Sequence, residues 1–207
     1  MASLSVQSLL QTAFARGIKN VVPLVINALL WLVTVWIPYI NIGTTIGLYV
    51  GVIAKMARGE TISPVEIFNS DYRKYMGGYF LVTGLMMAGL GFAFMLFIVP
   101  GIVLSIAWLI APLLVVDQAM NPVEALQKSN ELTWGNKGKI FLAQLLLGVA
   151  IFILYWIAEL IGGAVAALGA LLTIIVALVA VSASIALVSA IYGDLTGISG
   201  TSDSSQA

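Results

Sequence analysis

The chain has 207 residues, of which 61% are hydrophobic and 9% charged, and its mean hydropathy is +1.08. Soluble domains carry about 25% charged residues, so this composition excludes a water-soluble globular domain and places the chain in a membrane. Zero net charge removes the overall basic field of a nucleic-acid binder. The absence of Cys and His removes disulfides, thiolate chemistry, their ligation of haem or zinc, and the commonest general base.

Residues 1–7 lack a basic segment followed by an apolar core, and no small-residue cleavage site precedes the first apolar run, so no removable signal peptide is expected. Val6, Leu9, Leu10, Ala13, Phe14, Gly17 and Ile18 follow the helical period, with Gln7, Gln11, Arg16 and Lys19 on the other face. This predicts an amphipathic helix at the membrane surface. Residues 21–39 form the first run able to cross a hydrocarbon core about 30 Å thick, with Trp36 and Tyr39 set for the far interface and a turn over 38–43. Residues 42–57 return, and at 1.5 Å per residue they cover only about 24 Å. Gly43, Gly47 and Gly51 form a stripe on this run that lets a neighbouring helix approach, within the chain or from a second copy.

A polar connector follows, and it recurs. Ser63-Pro64-Val65-Glu66 and Asn121-Pro122-Val123-Glu124 are 58 positions apart, as are Gly77 and Gly135. Ser63 and Asn121 are good N-caps, Pro64 and Pro122 suit the first helical position, and Glu66 and Glu124 can reach back to the cap's N–H. Each connector is therefore expected to begin a short helix between two spans. Residues 78–99 span outward with a second stripe, Gly84, Ala88 and Gly91. Pro100-Gly101 turns, and residues 102–116 return, again short. After the second connector (121–133), residues 140–160 form the fifth span, Gly162-Gly163 opens a turn, and 170–192 closes the set with Ser182, Ala186 and Ala190 on one face. Residues 1–196 thus form one membrane domain, and 197–207 a flexible polar tail.

All nine Lys and Arg fall before the first span or in the connectors after the second and fourth. The positive-inside rule puts both termini and both connectors in the cytoplasm. The expected fold is an all-α polytopic membrane protein of six transmembrane helices in three parallel hairpin units, each preceded by a cytoplasmic amphipathic helix.

Little in the chain reads as catalysis. Ionisable residues are missing near mid-span, where pumps and proton-coupled carriers need them. Gly135-Asn136-Lys137-Gly138-Lys139 lacks the spacing of a phosphate loop and reads as a basic membrane-entry turn. Asn27, Asn41, Thr44, Thr45 and Gln144 fit helix-to-helix hydrogen bonding, and Thr44 and Thr45 also fit a polar pore lining. The candidates for contact with lipid headgroups or a partner are Arg16, Lys19, Arg73, Lys74, Lys128, Lys137, Lys139 and Trp134, a basic and aromatic belt.

Phe14-Ala15-Arg16-Gly17, Ala57-Arg58-Gly59-Glu60, Ile98-Val99-Pro100-Gly101-Ile102, Ala111-Pro112-Leu113, Glu124-Ala125-Leu126 with Ser129, and Tyr192-Gly193-Asp194-Leu195 occur in order along the chain. Over residues 10–196 this set resembles a group of bacterial six-span inner-membrane proteins, the YciC-like proteins and the membrane domain attached to some glycerophosphodiester phosphodiesterases. The resemblance implies a compact helical bundle and no catalytic residue, since the phosphodiesterase barrel is a separate soluble domain. Arg58, Glu124 and Asp194, at matching motif positions, are expected to form a cytoplasmic polar network that locks the repeats together. The functional expectation is a non-enzymatic scaffold or assembly factor in the bacterial inner membrane. It would use no cofactor and no nucleic acid, and would bind lipids together with a membrane-protein partner or further copies of itself. The alternative is a channel or facilitator for a small neutral solute.

Overall fold

The computed structural model describes residues 4–164 and 166–198, and every regular element among them is helical. Five stretches are long and apolar enough to cross a membrane, namely Pro38–Ala57, Ser70–Leu96, Ile98–Asp117, Lys137–Gly163 and Ala167–Thr196. A bent helix pair at the N-terminus is a sixth candidate. The expected tail falls mostly on residues 199–207, outside the described residues.

Helix α1 (Val6–Lys19) is amphipathic as its periodicity predicts, with Leu9 and Ala13 buried and Phe14 and Ile18 exposed. It stops at Asn20, whose side-chain amide donates to the Arg16 carbonyl, and α2 (Val21–Thr34) leaves at 76°. Pro38 does not belong to the turn, contrary to the expectation over 38–43. It opens α3 (Pro38–Ile46), because a residue without an N–H fits the first helical position. The returning run continues through a π-helical stretch, Gly47–Gly51, into α4 (Val52–Ala57). It is therefore 20 residues long, and the short member of this hairpin is α2, whose 14 residues cover about 21 Å.

The Gly43, Gly47 and Gly51 stripe is filled by the first connector rather than by another spanning helix. A Cβ on Gly47 would lie 2.7 Å from the backbone of Ile67, one on Gly51 would strike the Tyr72 ring, and one on Gly43 would lie 3.3 Å from the Arg73 side chain. Asn27 of α2 clamps the same segment: its amide nitrogen donates to the Ser63 carbonyl at 2.8 Å and its oxygen accepts from the Ile67 N–H at 3.1 Å. With its backbone drawn toward α2, the segment forms only two 3-10 turns, Glu66–Phe68 and Ser70–Tyr75, and Asn69 caps the second by accepting from the Asp71 N–H. The helix expected to start at Ser63 is thus replaced by a strap folded back on the returning helix.

In the next unit, α5 (Met76–Leu96) ends at Phe97 in an extended conformation. Pro100 and Gly101, expected as the turn, instead lie in the first turn of α6 (Ile98–Ala107), where proline costs no hydrogen bond. The returning run breaks at 108–110 and resumes as α7 (Ala111–Asp117). Gly84 and Gly91, expected to pack, face open space, and Ala88 is exposed beside them. The packed glycines of α5 are Gly89, where a Cβ would lie 2.6 Å from the Trp108 ring, and Gly78, where it would lie 2.9 Å from Val115. Helix α8 (Pro122–Thr133) starts as its sequence predicts, with Asn121 accepting from the Val123 N–H at 3.0 Å. It too doubles back: the Ser129 hydroxyl donates at 2.7 Å to the Ala107 carbonyl, which the helix break leaves without a helical partner. Both returning helices are therefore interrupted about 60 positions apart (47–51 and 108–110), close to the offset of the connectors, and each has its own connector laid over the interruption.

Helices α9 (Lys137–Ala164) and α10 (Ala166–Thr196) close the fold. Helix α9 runs through Gly162 and Gly163 rather than turning there, and Gly162 meets Gly169 backbone to backbone across the hairpin. Ala186 of α10 faces Gly17 of α1, where a Cβ would lie 3.5 Å away. The core belongs to the returning helices. Of the apolar windows, 67% of Pro38–Ala57 and 44% of Ile98–Asp117 are buried, against 11% for both Ser70–Leu96 and Lys137–Gly163. Ile185 to Tyr192 of α10 completes this core.

A Gly47→Ala substitution should cost about 1–3 kcal/mol, because the obstacle is backbone that cannot swing aside. Gly84→Ala, in open space, should stay within about 0.5 kcal/mol of the parent. Thermal melting of both variants in one detergent checks the pair, and equal losses would remove the strap from the packing account.

Candidate functional site: a polar node at the ends of the returning helices

Three helices, α4, α7 and α10, converge on one carboxylate. Arg58 follows α4, and its Nη1 donates to Asp117 Oδ1 at 2.6 Å, while its Nε donates to Glu60 Oε1 across the Gly59 turn. The other oxygen of Asp117, the last residue of α7, accepts from the fully buried Tyr192 hydroxyl of α10 at 2.7 Å. Gln118 Nε2 donates to the same hydroxyl at 3.1 Å. Beside this cluster Arg16 of α1 reaches inward. Its Nη1 donates to the Ser189 carbonyl at 2.9 Å and to the Ser189 hydroxyl at 3.3 Å, and its Nη2 donates to the Ala57 carbonyl at 3.3 Å. Asp194 lies within electrostatic reach of Arg16. Partial burial works against the Arg58 charge, but the hydrogen bonds to Asp117 and Glu60 outweigh it and hold its pKa above the usual arginine value.

A second charged group pins the first connector. Glu66 is buried; it pairs with Lys55 Nζ at 3.0 Å, accepts from the Tyr72 hydroxyl at 2.7 Å, and receives the Ser63 N–H at 3.4 Å. Burial alone would raise its pKa, yet the Tyr72 and Lys55 contacts hold it below the ordinary carboxylate range.

Of the three residues expected to form the network, Arg58 sits in the node, Asp194 lies beside Arg16, and Glu124 is exposed on α8, away from both. Asp117 and Tyr192 take the place expected for Glu124. A sequence signal for them exists: Asp117 is the first charge after the 102–116 apolar run, as Arg58 is the charge that closes 42–57, and Tyr192 belongs to the same motif as Asp194. The expected headgroup cations divide into groups. Arg16 is a tie between helices, and the Arg73 side chain lies over Gly43. Lys74 and Lys128 form exposed pairs with Asp71 and Glu131. Lys19 and Lys139 form no ion pair among the described residues. Lys137 donates to Asn130 Oδ1 and lies 5.1 Å from the centre of the exposed Trp134 ring.

Some of the uncharged polar groups are engaged in a similar way, whereas Asn41 Nδ2 and Ser182 Oγ are buried without a hydrogen-bond partner among the described residues. The hydroxyls of Thr34 and Thr44 share a 2.8 Å hydrogen bond, and the Trp31 indole donates to Thr45 at 2.9 Å, tying α2 to α3. Two apolar grooves open sideways. One, of about 520 Å³, lies between α1, α9 and α10, lined by Leu10, Phe14, Ile18, Leu147, Val179 and Ser182. The other, of about 590 Å³, follows α6 toward Lys137. Comparison with protein-family profiles, with curated proteins and with solved structures returned no match.

Replacing Asp117 by Asn should lower the melting temperature more than replacing Glu60 by Gln. A double-mutant cycle between Asp117→Asn and Arg58→Gln should give a coupling above about 0.5 kcal/mol, because the two groups are in direct contact. Because the folded protein depresses the pKa of Glu66, its contribution is present above the ordinary value of 4.5 and is lost as the pH falls below it. The stability gap between the parent and Glu66→Gln should therefore close in melts run below that pH, and a constant gap would show that the carboxylate charge is not what pins the strap.

Proposed function

We propose that the chain is a non-enzymatic integral protein of the bacterial inner membrane that works by binding, as a scaffold or assembly factor for a membrane partner, with lipids as co-ligands. The observation that carries this reading is how its polar groups are spent. Arg16, Arg58, Asp117 and Tyr192 join helix ends, Asn27 and Glu66 hold a connector, and the threonines tie α2 to α3. What remains for function is mainly apolar surface and the two grooves, one holding the unpartnered Ser182 hydroxyl and the other ending at Lys137. In this reading the bent pair α1 and α2 supplies a surface helix and the first of six spans, the three hairpins run parallel, and the nine Lys and Arg keep the termini and connectors in the cytoplasm. The motif resemblance to the YciC-like proteins and the phosphodiesterase-linked membrane domain supports the same compartment and bundle.

A second reading, a facilitator for a small neutral solute, draws on the interruptions at 47–51 and 108–110, since broken helices at corresponding repeat positions are typical of transporter binding sites. Against it, the threonines that would line its path are hydrogen-bonded to Thr34 and Trp31. Native mass spectrometry of the protein extracted gently from its own membranes separates the two. The scaffold reading expects a stoichiometric protein partner or a defined homo-oligomer, whereas a bare monomer that accelerates solute flux in vesicles would replace it with the facilitator.

A further inference from the structure

The groove along α6 has the shape and charge of an amphiphile site. Val99, Pro100, Val103, Leu104, Ala107 and Trp108 line it from α6 and its break, with Ala93 of α5 opposite. From Pro100 to Trp108 the helix rises about 12 Å, close to the depth of one bilayer leaflet, about 15 Å. At the Trp108 end the lining changes character, and Asn130 of α8 and Lys137 of α9 close the slot. The Lys137 ammonium is held in place by neutral groups, the Asn130 carbonyl oxygen at 2.7 Å and the Trp134 ring face, and no carboxylate pairs with it among the described residues. Lys128 and Lys74, on the exposed faces of the connectors, are by contrast neutralised by Glu131 and Asp71. Trp134 is exposed beside the ammonium, as an interfacial aromatic is, and the apolar run of α9 begins only three residues beyond Lys137, at Ile140.

We propose that this groove binds one anionic phospholipid, with an acyl chain along α6 and the phosphate on Lys137. The inference rests on the reading of the chain as a lipid-binding membrane protein and names the lipid and its site. A single uncompensated cation at one end of an apolar slot selects negative headgroups over zwitterionic ones, and the slot selects a chain-bearing lipid over free phosphate.

The test uses the full chain purified in detergent without any protein partner, so its result is independent of whether a partner exists. Phosphatidylglycerol and phosphatidylcholine with identical chains are titrated and bound lipid is counted by native mass spectrometry. The expected result is retention of phosphatidylglycerol about fivefold tighter, unaffected by equimolar inorganic phosphate. The preference should vanish in Lys137→Gln and persist in Lys137→Arg and Lys139→Gln. Val103→Trp, which fills the slot, should weaken both lipids alike. Equal binding of the two lipids, a preference that survives in Lys137→Gln, an equal loss in Lys139→Gln, or displacement by phosphate would each overturn the proposal. Melting curves of every variant identify any that fail to fold, and Lys137→Arg keeps the assignment decidable in that event.

Discussion

The structure depends on a carboxylate being shared. Asp117 places one oxygen on Arg58 and the other on Tyr192, and so joins the end of the first returning helix, the end of the second and the inner half of the third. A buried or half-buried charge survives in an apolar protein only when its lone pairs are filled, and here each oxygen has a donor from a different unit. Asp117 is the member common to both contacts, so its loss separates Arg58 from Tyr192 and leaves Arg58 with Glu60 and Tyr192 with Gln118. The apolar core contributes area without direction, whereas the node specifies which helix ends meet.

The two straps follow from the same economy. A returning helix that changes its hydrogen-bonding pattern mid-course frees backbone groups that lipid cannot satisfy. At 108–110 the freed Ala107 carbonyl takes a hydroxyl from α8; at 47–51 the bare glycine face takes the backbone of the first connector, held by Asn27 and Glu66. The interruptions and the connectors therefore belong together. The polar residues near them serve the backbone first, and this leaves the outer helices as a nearly uniform apolar shell whose exceptions, such as Lys137, stand out.

Much of the architecture can be read from residue patterns. Apolar runs mark the long helices, the period of residues 6–18 marks α1, and Asn121-Pro122 marks the start of α8, because capping is a local signal that nothing in the fold opposes. The matching cap at Ser63-Pro64 makes its contacts, with Ser63 Oγ accepting from the Val65 N–H and Glu66 receiving the Ser63 N–H, but no α-helix grows from it, because Asn27 takes the Ser63 carbonyl from 36 residues away and Lys55 and Tyr72 share the Glu66 carboxylate. Glycine spacing reveals which face of α3 and of the π-helical stretch is bare but is silent on what fills it. It misleads on α5, where the exposed Gly84 and Gly91 are regularly spaced and the packed Gly89 is not part of the stripe. Asp117 and Tyr192 escaped notice for a similar reason: no spacing rule links residues on three separate helices, and only the folded chain shows that one carboxylate serves all three.

The contact between Arg16 and Ser189 spans 173 positions. A ribosome adding about 5–20 residues per second needs roughly ten to thirty seconds to make that stretch. Throughout that interval α1 is complete while Ser189 does not yet exist, and Asp117, once made, has Arg58 on one oxygen and no Tyr192 for the other. Until α10 is made, the earlier helices have only the ties among themselves, such as Arg58 to Asp117 and Arg16 to Ala57, and α10 then adds those from Ser189 and Tyr192. The closing of these contacts is thus timed by the translation of α10, and a chain that stops short of residue 189 keeps the Arg58–Asp117 pair but lacks the ties made by Ser189 and Tyr192.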